Sequence, residues 1–219
     1  MTPDHTKEFN QQGCVFIKNF IDAPTVKIIS RYMENALNQS HFLDRELLQD
    51  DDENKDPSSK YSKYGDPLIE SILVERKTDI QKIVGYELYP TYSYLRLYME
   101  NDELRPHRDR PSCEFSVTIN VAALGNMWPI YMKTKEKTEA KFLLDPGDAV
   151  VYKGCELLHW RKPINECGAE MSAQFMLHYV DQNGRFKDHK WDKRPRLGTP
   201  CSERGKQVTE ENNHAYRNI

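Results

Sequence analysis

The sequence predicts a mainly β domain with flanking helices (α+β), in which two antiparallel sheets form a double-stranded β-helix, or jelly-roll, barrel. Short segments rich in aromatic and β-branched residues, separated by turn signals, follow one another between residues 86 and 181. Two longer apolar stripes with helical spacing precede them. The chain has 219 residues, which suits one domain of the larger kind.

The N-terminal part is predicted to supply one strand and two helices. The run 13–20 is apolar enough for a strand, and Asp22, Ala23 and Pro24 resemble a helix cap followed by a first-turn proline. The helix that follows has an apolar face of Val26, Ile29, Tyr32, Met33, Ala36 and Leu37. A second helix begins after Asp66-Pro67 and ends at Gly85, with a stripe of Leu68, Ile69, Ile72, Leu73, Ile80 and Ile83.

The β region is predicted to contain seven strands, at Leu88–Met99, Glu114–Ala122, Pro129–Lys133, Lys141–Leu144, Ala149–Tyr152, Leu157–Arg161 and Met171–Val180. We expect residues 1–182 to form a single domain, with helical support at the N-terminus and its core at about residues 86–181. Residues 183–219 are polar and are predicted to form a C-terminal tail, either flexible or wrapped around the barrel.

Composition favours a slightly acidic protein that works away from membranes and nucleic acids. The net charge is −3, and basic residues are matched by acidic ones, so we expect no nucleic-acid partner. The sequence has neither a long apolar run nor the pattern of a signal peptide, which predicts a cytoplasmic protein. Its five cysteines lack a CxxC pair, which predicts free thiols and no structural zinc site. No pattern indicates an oligomeric state.

The most informative motif is His107-Arg108-Asp109, followed by His159. Two imidazoles and one carboxylate form a facial triad, which binds iron(II) and leaves coordination positions open. The triplet lies between two predicted strands, and His159 follows an Asp-Pro-Gly-Asp turn at 145–148 and a short strand. The competing interpretation is a surface His107 with an unrelated Asp109, and a core His159 bonded to a backbone carbonyl.

The set Tyr98, His107-x-Asp109, Pro-Gly-Asp148 and His159 resembles the 2-oxoglutarate and iron(II)-dependent dioxygenases, most closely their prolyl-hydroxylase-like branch. The resemblance covers about residues 86–181. It implies Fe(II) held by the two His and the Asp, 2-oxoglutarate as cosubstrate, O₂ as oxidant and ascorbate as a candidate additional reductant. The implied reaction hydroxylates a C–H of an amino-acid, peptidyl, prolyl or other small substrate, with release of succinate and CO₂.

The group that binds the distal carboxylate of 2-oxoglutarate is less evident. The resemblance implies a contact from Tyr98, but the usual basic residue about ten positions after the second His is replaced by Ala169. Arg161 lies two residues beyond His159, so on an extended strand it shares that face, where a guanidinium can bind a carboxylate bidentately. Lys133, on a strand where some related oxygenases carry a lysine, and Arg96, beside Tyr94 and Tyr98, are the other candidates. Arg161 as a solvent-facing residue and Arg96 as a partner of Glu114 are the competing interpretations.

Three further residues are candidates for substrate contact. Arg110 follows Asp109 at the predicted barrel mouth and could bind an acidic group. Tyr61 and Tyr64 end a polar segment, 49–65, whose composition predicts a mobile lid over the site. Deleting Asp51–Ser59 should then uncouple decarboxylation of 2-oxoglutarate from hydroxylation. His178, on the last strand, is predicted to be a packing residue or to support the metal ligands.

Two other functions stay open at this point. One is a cupin-like metal-binding barrel that binds a ligand without 2-oxoglutarate-dependent oxidation, which the absent basic residue at Ala169 favours. The other is a cupin-like enzyme that uses the same metal without 2-oxoglutarate. The partner in every case is a small molecule or peptide.

Overall fold

The computed structural model describes residues 5–37, 61–99 and 101–205. Within these ranges the helices are α1 (His5–Gln12), α2 (Ala23–Leu37), α3 (Pro67–Glu75) and α4 (Lys77–Val84). The strands are β1 (Cys14–Ile17), β2 (Tyr61–Tyr64), β3 (Leu88–Met99), β4 (Leu104–His107), β5 (Phe115–Gly125), β6 (Ile130–Lys133), β7 (Glu139–Phe142), β8 (Ala149–Tyr152), β9 (His159–Arg161) and β10 (Ala169–Asp181).

The strands form two antiparallel sheets, which confirms the predicted fold class. One sheet has six strands in the order β1-β8-β5-β10-β3-β2, and the other has four in the order β4-β9-β6-β7. Neighbouring strands are mostly distant in sequence, because the chain alternates between the two sheets as in a jelly roll.

Side-chain alternation gives the six-stranded sheet two different faces. One face packs Ile119 of β5 and Phe175 of β10 into a core with helical residues such as Phe9, Ile69 and Leu73. On the other face, Tyr152 of β8 packs with residues of the four-stranded sheet such as Ile130 and Met132. The helices therefore cover one face, and the four-stranded sheet covers the other and encloses the candidate site.

The second predicted helix is divided in two. Asp66 caps α3 by accepting hydrogen bonds from the amides of Leu68 (3.0 Å) and Ile69 (3.2 Å), with Pro67 in the first turn. The α3 helix ends at Glu75 and is capped by Arg76, and α4 ends at Val84 and is capped by Gly85, whose backbone is left-handed (φ 78°). The apolar stripe spans both helices, so spacing alone did not reveal the break.

Two of the observed strands, β4 and β2, have no counterpart in the prediction. The sequence predicts a turn at the position of β4, because this segment has only four residues and contains Pro106, which is unfavourable in a strand. The end of the predicted lid, Tyr61–Tyr64, is not a loop but the edge strand β2, which pairs with β3. Tyr64 is buried, and its hydroxyl donates to Asp192 (2.5 Å). Residues 49–60 of the predicted lid, which include Asp51–Ser59, lie outside the described residues.

The polar C-terminal segment packs against the domain as far as residue 205. Arg194 is buried and donates to Glu70 in α3 (2.5 Å) and to the carbonyl of Thr91 in β3 (3.1 Å). Short helical turns within Lys187–Lys193 lie against β3. Each helix in the described ranges is too short or too polar to span a membrane.

Candidate metal centre and cosubstrate cavity

Pairing of β4 with β9 brings the three predicted metal ligands together. His107 and His159 are register partners at the end of this ladder, and their ring centroids lie 4.3 Å apart. Asp109 Oδ1 lies 3.5 Å from His107 Nε2 and 3.4 Å from His159 Nε2. One ligand atom from each residue thus lies within 4.8 Å of the others, a spacing that one ion can bridge.

Hydrogen bonds orient both imidazoles with Nε2 toward Asp109. His107 Nδ1 bonds the carbonyl of Arg105 (2.8 Å), and His159 Nδ1 bonds the carbonyl of Leu157 (3.0 Å). Because a carbonyl can only accept, each Nδ1 carries the proton and each Nε2 presents a lone pair. Backbone bonds of this kind fix the tautomer of metal-binding histidines.

The carboxylate of Asp109 is oriented from its other side. Its Oδ2 accepts from Ser116 Oγ (2.8 Å), and Ser116 Oγ also contacts His178 Nδ1 (2.9 Å). Burial lowers the pKa of His178 to about 4, so its ring is neutral at neutral pH. Since the Ser116 hydrogen is directed to Asp109, His178 Nδ1 donates to Ser116. This chain leaves Oδ1 facing the two imidazoles.

Gly154 allows the close approach on which the position of Asp109 depends. Its carbonyl accepts from the Asp109 amide (3.0 Å). A Cβ at this residue would overlap Asp109 Oδ2 and the carbonyl oxygen of Cys113, and would lie 2.7 Å from Ser116 Oγ.

We therefore expect Gly154→Ala to displace the carboxylate and lower divalent-metal affinity about 10- to 100-fold, the range typical when groups that orient ligands are disturbed. Metal titration checks this, with Gly198→Ala as the control: its left-handed backbone (φ 74°) makes the substitution strained, but the added Cβ meets nothing within 4 Å and so does not touch the triad. Equal metal affinity in the two variants would contradict the expectation.

The charges of the triad suit a cation. Burial alone would raise the pKa of Asp109, but His159 and His107 lower it well below the usual range, so the carboxylate stays ionised. For His107, burial lowers the pKa, yet its contacts with Asp109 and the Arg105 carbonyl raise it overall. A proton therefore competes with a metal ion for His107 Nε2.

Metal affinity should consequently fall as pH drops through the raised pKa of His107, because the metal must then displace that proton. Titrating the protein with Mn(II) at several pH values between about 5 and 8 tests this, since unperturbed histidine titrates inside that range. An affinity independent of pH would contradict it.

A cavity of about 130 Å³ adjoins the triad and lies between the two sheets. Besides the triad it is lined by Tyr92, Tyr94, Arg96, Tyr98, Leu104, Thr118, Ile130, Tyr152, Arg161, Gln174, Met176 and His178. Most of the lining from β3 and β10 occupies alternate positions, because those side chains face inward together. Sequence reasoning missed Thr118 and Gln174, although their alternation with buried apolar neighbours was a usable signal.

Arg161 is the more deeply buried of the two arginines that line this cavity. It is only 2% exposed and lies on the same face of β9 as His159, as the spacing predicted. It donates to the carbonyl of Trp128 (2.5 Å) and to Gln174 Oε1 (2.9 Å), and burial lowers its pKa to about 10. Among the described residues no carboxylate pairs with it, so an anionic ligand would supply the missing counter-charge.

The other anchor candidates are placed differently. Arg96 is buried and lies over the ring of Tyr98 (4.5 Å) in the same cavity, whereas Lys133 is exposed and does not line it. Glu114, the alternative partner considered for Arg96, accepts from the amide of Asp181 (2.8 Å). Ala169 is buried at the start of β10, so it leaves the usual anchor position apolar.

The substrate candidates also differ from expectation. The guanidinium of Arg110 forms a two-pronged ion pair with Asp192 (2.5 and 2.8 Å), so its fork is already engaged within the protein. Tyr64 is buried away from the cavity lining, and Tyr61 belongs to β2. The five cysteines all lie within the described residues and form no disulfide there.

No protein-family model matches the sequence, and no curated protein matches it. Solved structures, in contrast, superimpose well. A Pseudomonas putida prolyl-4-hydroxylase matches with a TM-score of 0.63 at 14% identity, over 80% of this chain and 97% of its own. EctD from S. alaskensis, solved with 2-oxoglutarate and 5-hydroxyectoine, matches with a TM-score of 0.65 at 15% identity, over 95% of this chain and 88% of its own. The fold is that of the 2-oxoglutarate and iron(II) oxygenases.

Another oxygenase-fold protein, the non-heme alpha ketoglutarate dependent epimerase SnoN from nogalamycin biosynthesis, matches with a TM-score of 0.62 at 11% identity, over 94% of this chain and 95% of its own. The resemblance inferred from the sequence motif is thus confirmed at the level of the fold. The oxygenase fold also hosts more than one reaction, so the outcome on the substrate has to be argued from the site.

Proposed function

We propose that this protein is an iron(II)- and 2-oxoglutarate-dependent dioxygenase that hydroxylates a C–H of an amino-acid, peptidyl or other small substrate. One observation carries the proposal: the His107–Asp109–His159 set opens onto a cavity that contains the buried cation Arg161. A metal with open positions and a buried cation in the same cavity are the two features that a chelating dicarboxylate requires.

His107, Asp109 and His159 would hold the iron(II), and the donor set suits it. Two imidazoles and one carboxylate favour a six-coordinate ion with open positions over a closed structural zinc site. Iron(II) with 2-oxoglutarate and O₂ supplies oxidative decarboxylation to succinate and CO₂, coupled to oxidation of the substrate.

The protein's own residues would bind, orient and exclude water. Arg161 would grip the distal carboxylate of 2-oxoglutarate, while Trp128 and Gln174 hold its guanidinium in place. Tyr98 packs edge-on against Trp128 (4.7 Å) and shapes the same end of the cavity. Tyr92, Tyr94 and Tyr98 of β3 and Met176 of β10 line the cavity, and their side chains would limit the access of water to the reacting centre.

Two measurements test the proposal. 2-Oxoglutarate should raise the melting temperature only when a divalent metal such as Mn(II) is present, because the metal completes its binding site. Succinate release should then rise with one member of a panel of amino acids and prolyl peptides. Stabilisation by 2-oxoglutarate without metal, or by metal without any response to 2-oxoglutarate, would favour the cupin-like alternative.

The product formed from the substrate identifies the type of reaction. A hydroxylase product gains one oxygen atom, whereas an epimerase or cyclase product does not. Mass spectrometry of the product from the panel therefore separates hydroxylation from the other outcomes. Ascorbate is expected to sustain turnover by keeping the iron reduced, and omitting it tests that requirement.

A further inference from the structure

The described C-terminal segment, residues 183–205, contacts the turn that carries the ligand Asp109. Asp192 is 2% exposed, and its carboxylate receives both prongs of Arg110, the residue next to Asp109. His189 makes a second contact, from its Nδ1 to Ser112 Oγ (2.8 Å). Two side chains of this segment thus reach the turn immediately after the metal ligand.

The backbone at Asp192 is unusual in a way that suits this contact. Trp191, Asp192 and Lys193 all have left-handed conformations, with φ of 53°, 57° and 60°. Three consecutive non-glycine residues in this region are disfavoured, because each Cβ approaches its own backbone. Such conformations persist when surrounding contacts over-determine them, and they concentrate at functional sites. Here they direct the Asp192 carboxylate inward to Arg110.

Arg110, held by Asp192, is connected to the metal site in two ways. It adjoins Asp109 in the chain, and its side chain contacts Tyr92. Its guanidinium lies 4.5 Å from the Tyr92 ring centroid, and Tyr92 packs against His178 at 4.5 Å. His178 is the residue that holds Ser116, and Ser116 holds Asp109 Oδ2. The ligand Asp109 is therefore braced on both sides by groups that meet at Arg110.

We propose that Asp192 is a positioning residue for the metal centre: through Arg110 it fixes the turn after Asp109 and so sets metal affinity. This inference rests on the proposed function, since it assumes that Asp109 binds a metal. It makes the C-terminal segment part of the active site although it supplies no ligand.

The test compares two variants that each disturb the same carboxylate. Asp192→Asn weakens the contact with Arg110, and we expect Co(II) affinity, followed through its visible absorption, to fall about 10-fold. Arg204→Gln is the matched control, because Arg204 also donates to Asp192 (2.9 Å) but does not adjoin a ligand. Its Co(II) affinity should stay within about twofold of the unmodified protein, even if its melting temperature falls.

A third variant separates geometry from charge. Arg110→Lys keeps the positive charge but loses the planar fork that Asp192 grips, so a several-fold loss of Co(II) affinity would report geometry. It also serves if Asp192→Asn fails to fold. Equal Co(II) affinity in Arg110→Lys and the unmodified protein would overturn this inference but not the proposed function. A loss of Co(II) affinity in Arg204→Gln as large as that in Asp192→Asn would do the same. Failure of the unmodified protein to bind Co(II) would overturn the proposed function too.

Discussion

Asp109→Ala should abolish both metal binding and succinate formation from 2-oxoglutarate. The triad offers three ligand atoms, and Asp109 supplies the only negative charge among them. Without it, the paired imidazoles would face each other with no anion between them, a poor site for a divalent cation. His107→Ala and His159→Ala should have the same outcome, and loss of the ion removes the chemistry as a whole rather than slowing it. Metal content and succinate release are the two measurements.

His5→Ala provides the control, because His5 lies in α1 and outside the triad and cavity. It should retain full metal content and turnover. A stoichiometric metal in purified Asp109→Ala, together with unchanged succinate release, would show that the ion is bound elsewhere. Circular dichroism should be unchanged in all variants if the three residues serve the metal and not the fold.

Much of the β scaffold could be predicted, because its strands carry strong local signals. Leu88–Met99 and Ala149–Tyr152 were predicted with the bounds that the structure shows, since aromatic and β-branched residues dominate both. The triad could be predicted from the sequence for a related reason. His107, Asp109 and His159 each lie at a strand end or just beyond it, where a side chain can face the space between the sheets.

Other features depend on contacts that a local pattern does not encode. The pairing of Asp192 with Arg110 joins residues 82 positions apart, and a polar tail offers no periodicity from which to infer it. The role of Gly154 lies in the space that its missing Cβ leaves for Asp109, which becomes visible only when both backbones are placed. The sequence predicts a substrate contact for Arg110 because its partner, Asp192, lies in that tail, where no pattern indicates the pairing.

The anchor for 2-oxoglutarate shows how composition and structure combine. The sequence lacks a basic residue near Ala169, which lies on β10. In the structure the guanidinium of Arg161, from β9, donates to Gln174, which lies on β10 as well. A long side chain from β9 thus brings a positive charge to a strand that lacks one. Arg96 is the second buried cation of the cavity, so a test must compare the two.

Arg161→Ala should weaken 2-oxoglutarate binding by about 2–4 kcal/mol, hence roughly 30- to 1000-fold, because a charge-assisted pair in a buried site is lost. Arg161→Lys should fall between, since the charge is kept and the fork is not. Titration calorimetry with Mn(II)-loaded protein measures the affinity, and Lys133→Ala, at an exposed site, is the control. Unchanged 2-oxoglutarate affinity in Arg161→Ala with a large loss in Arg96→Gln would move the anchor to Arg96, while a loss in Lys133→Ala would require the strand to turn its exposed lysine inward.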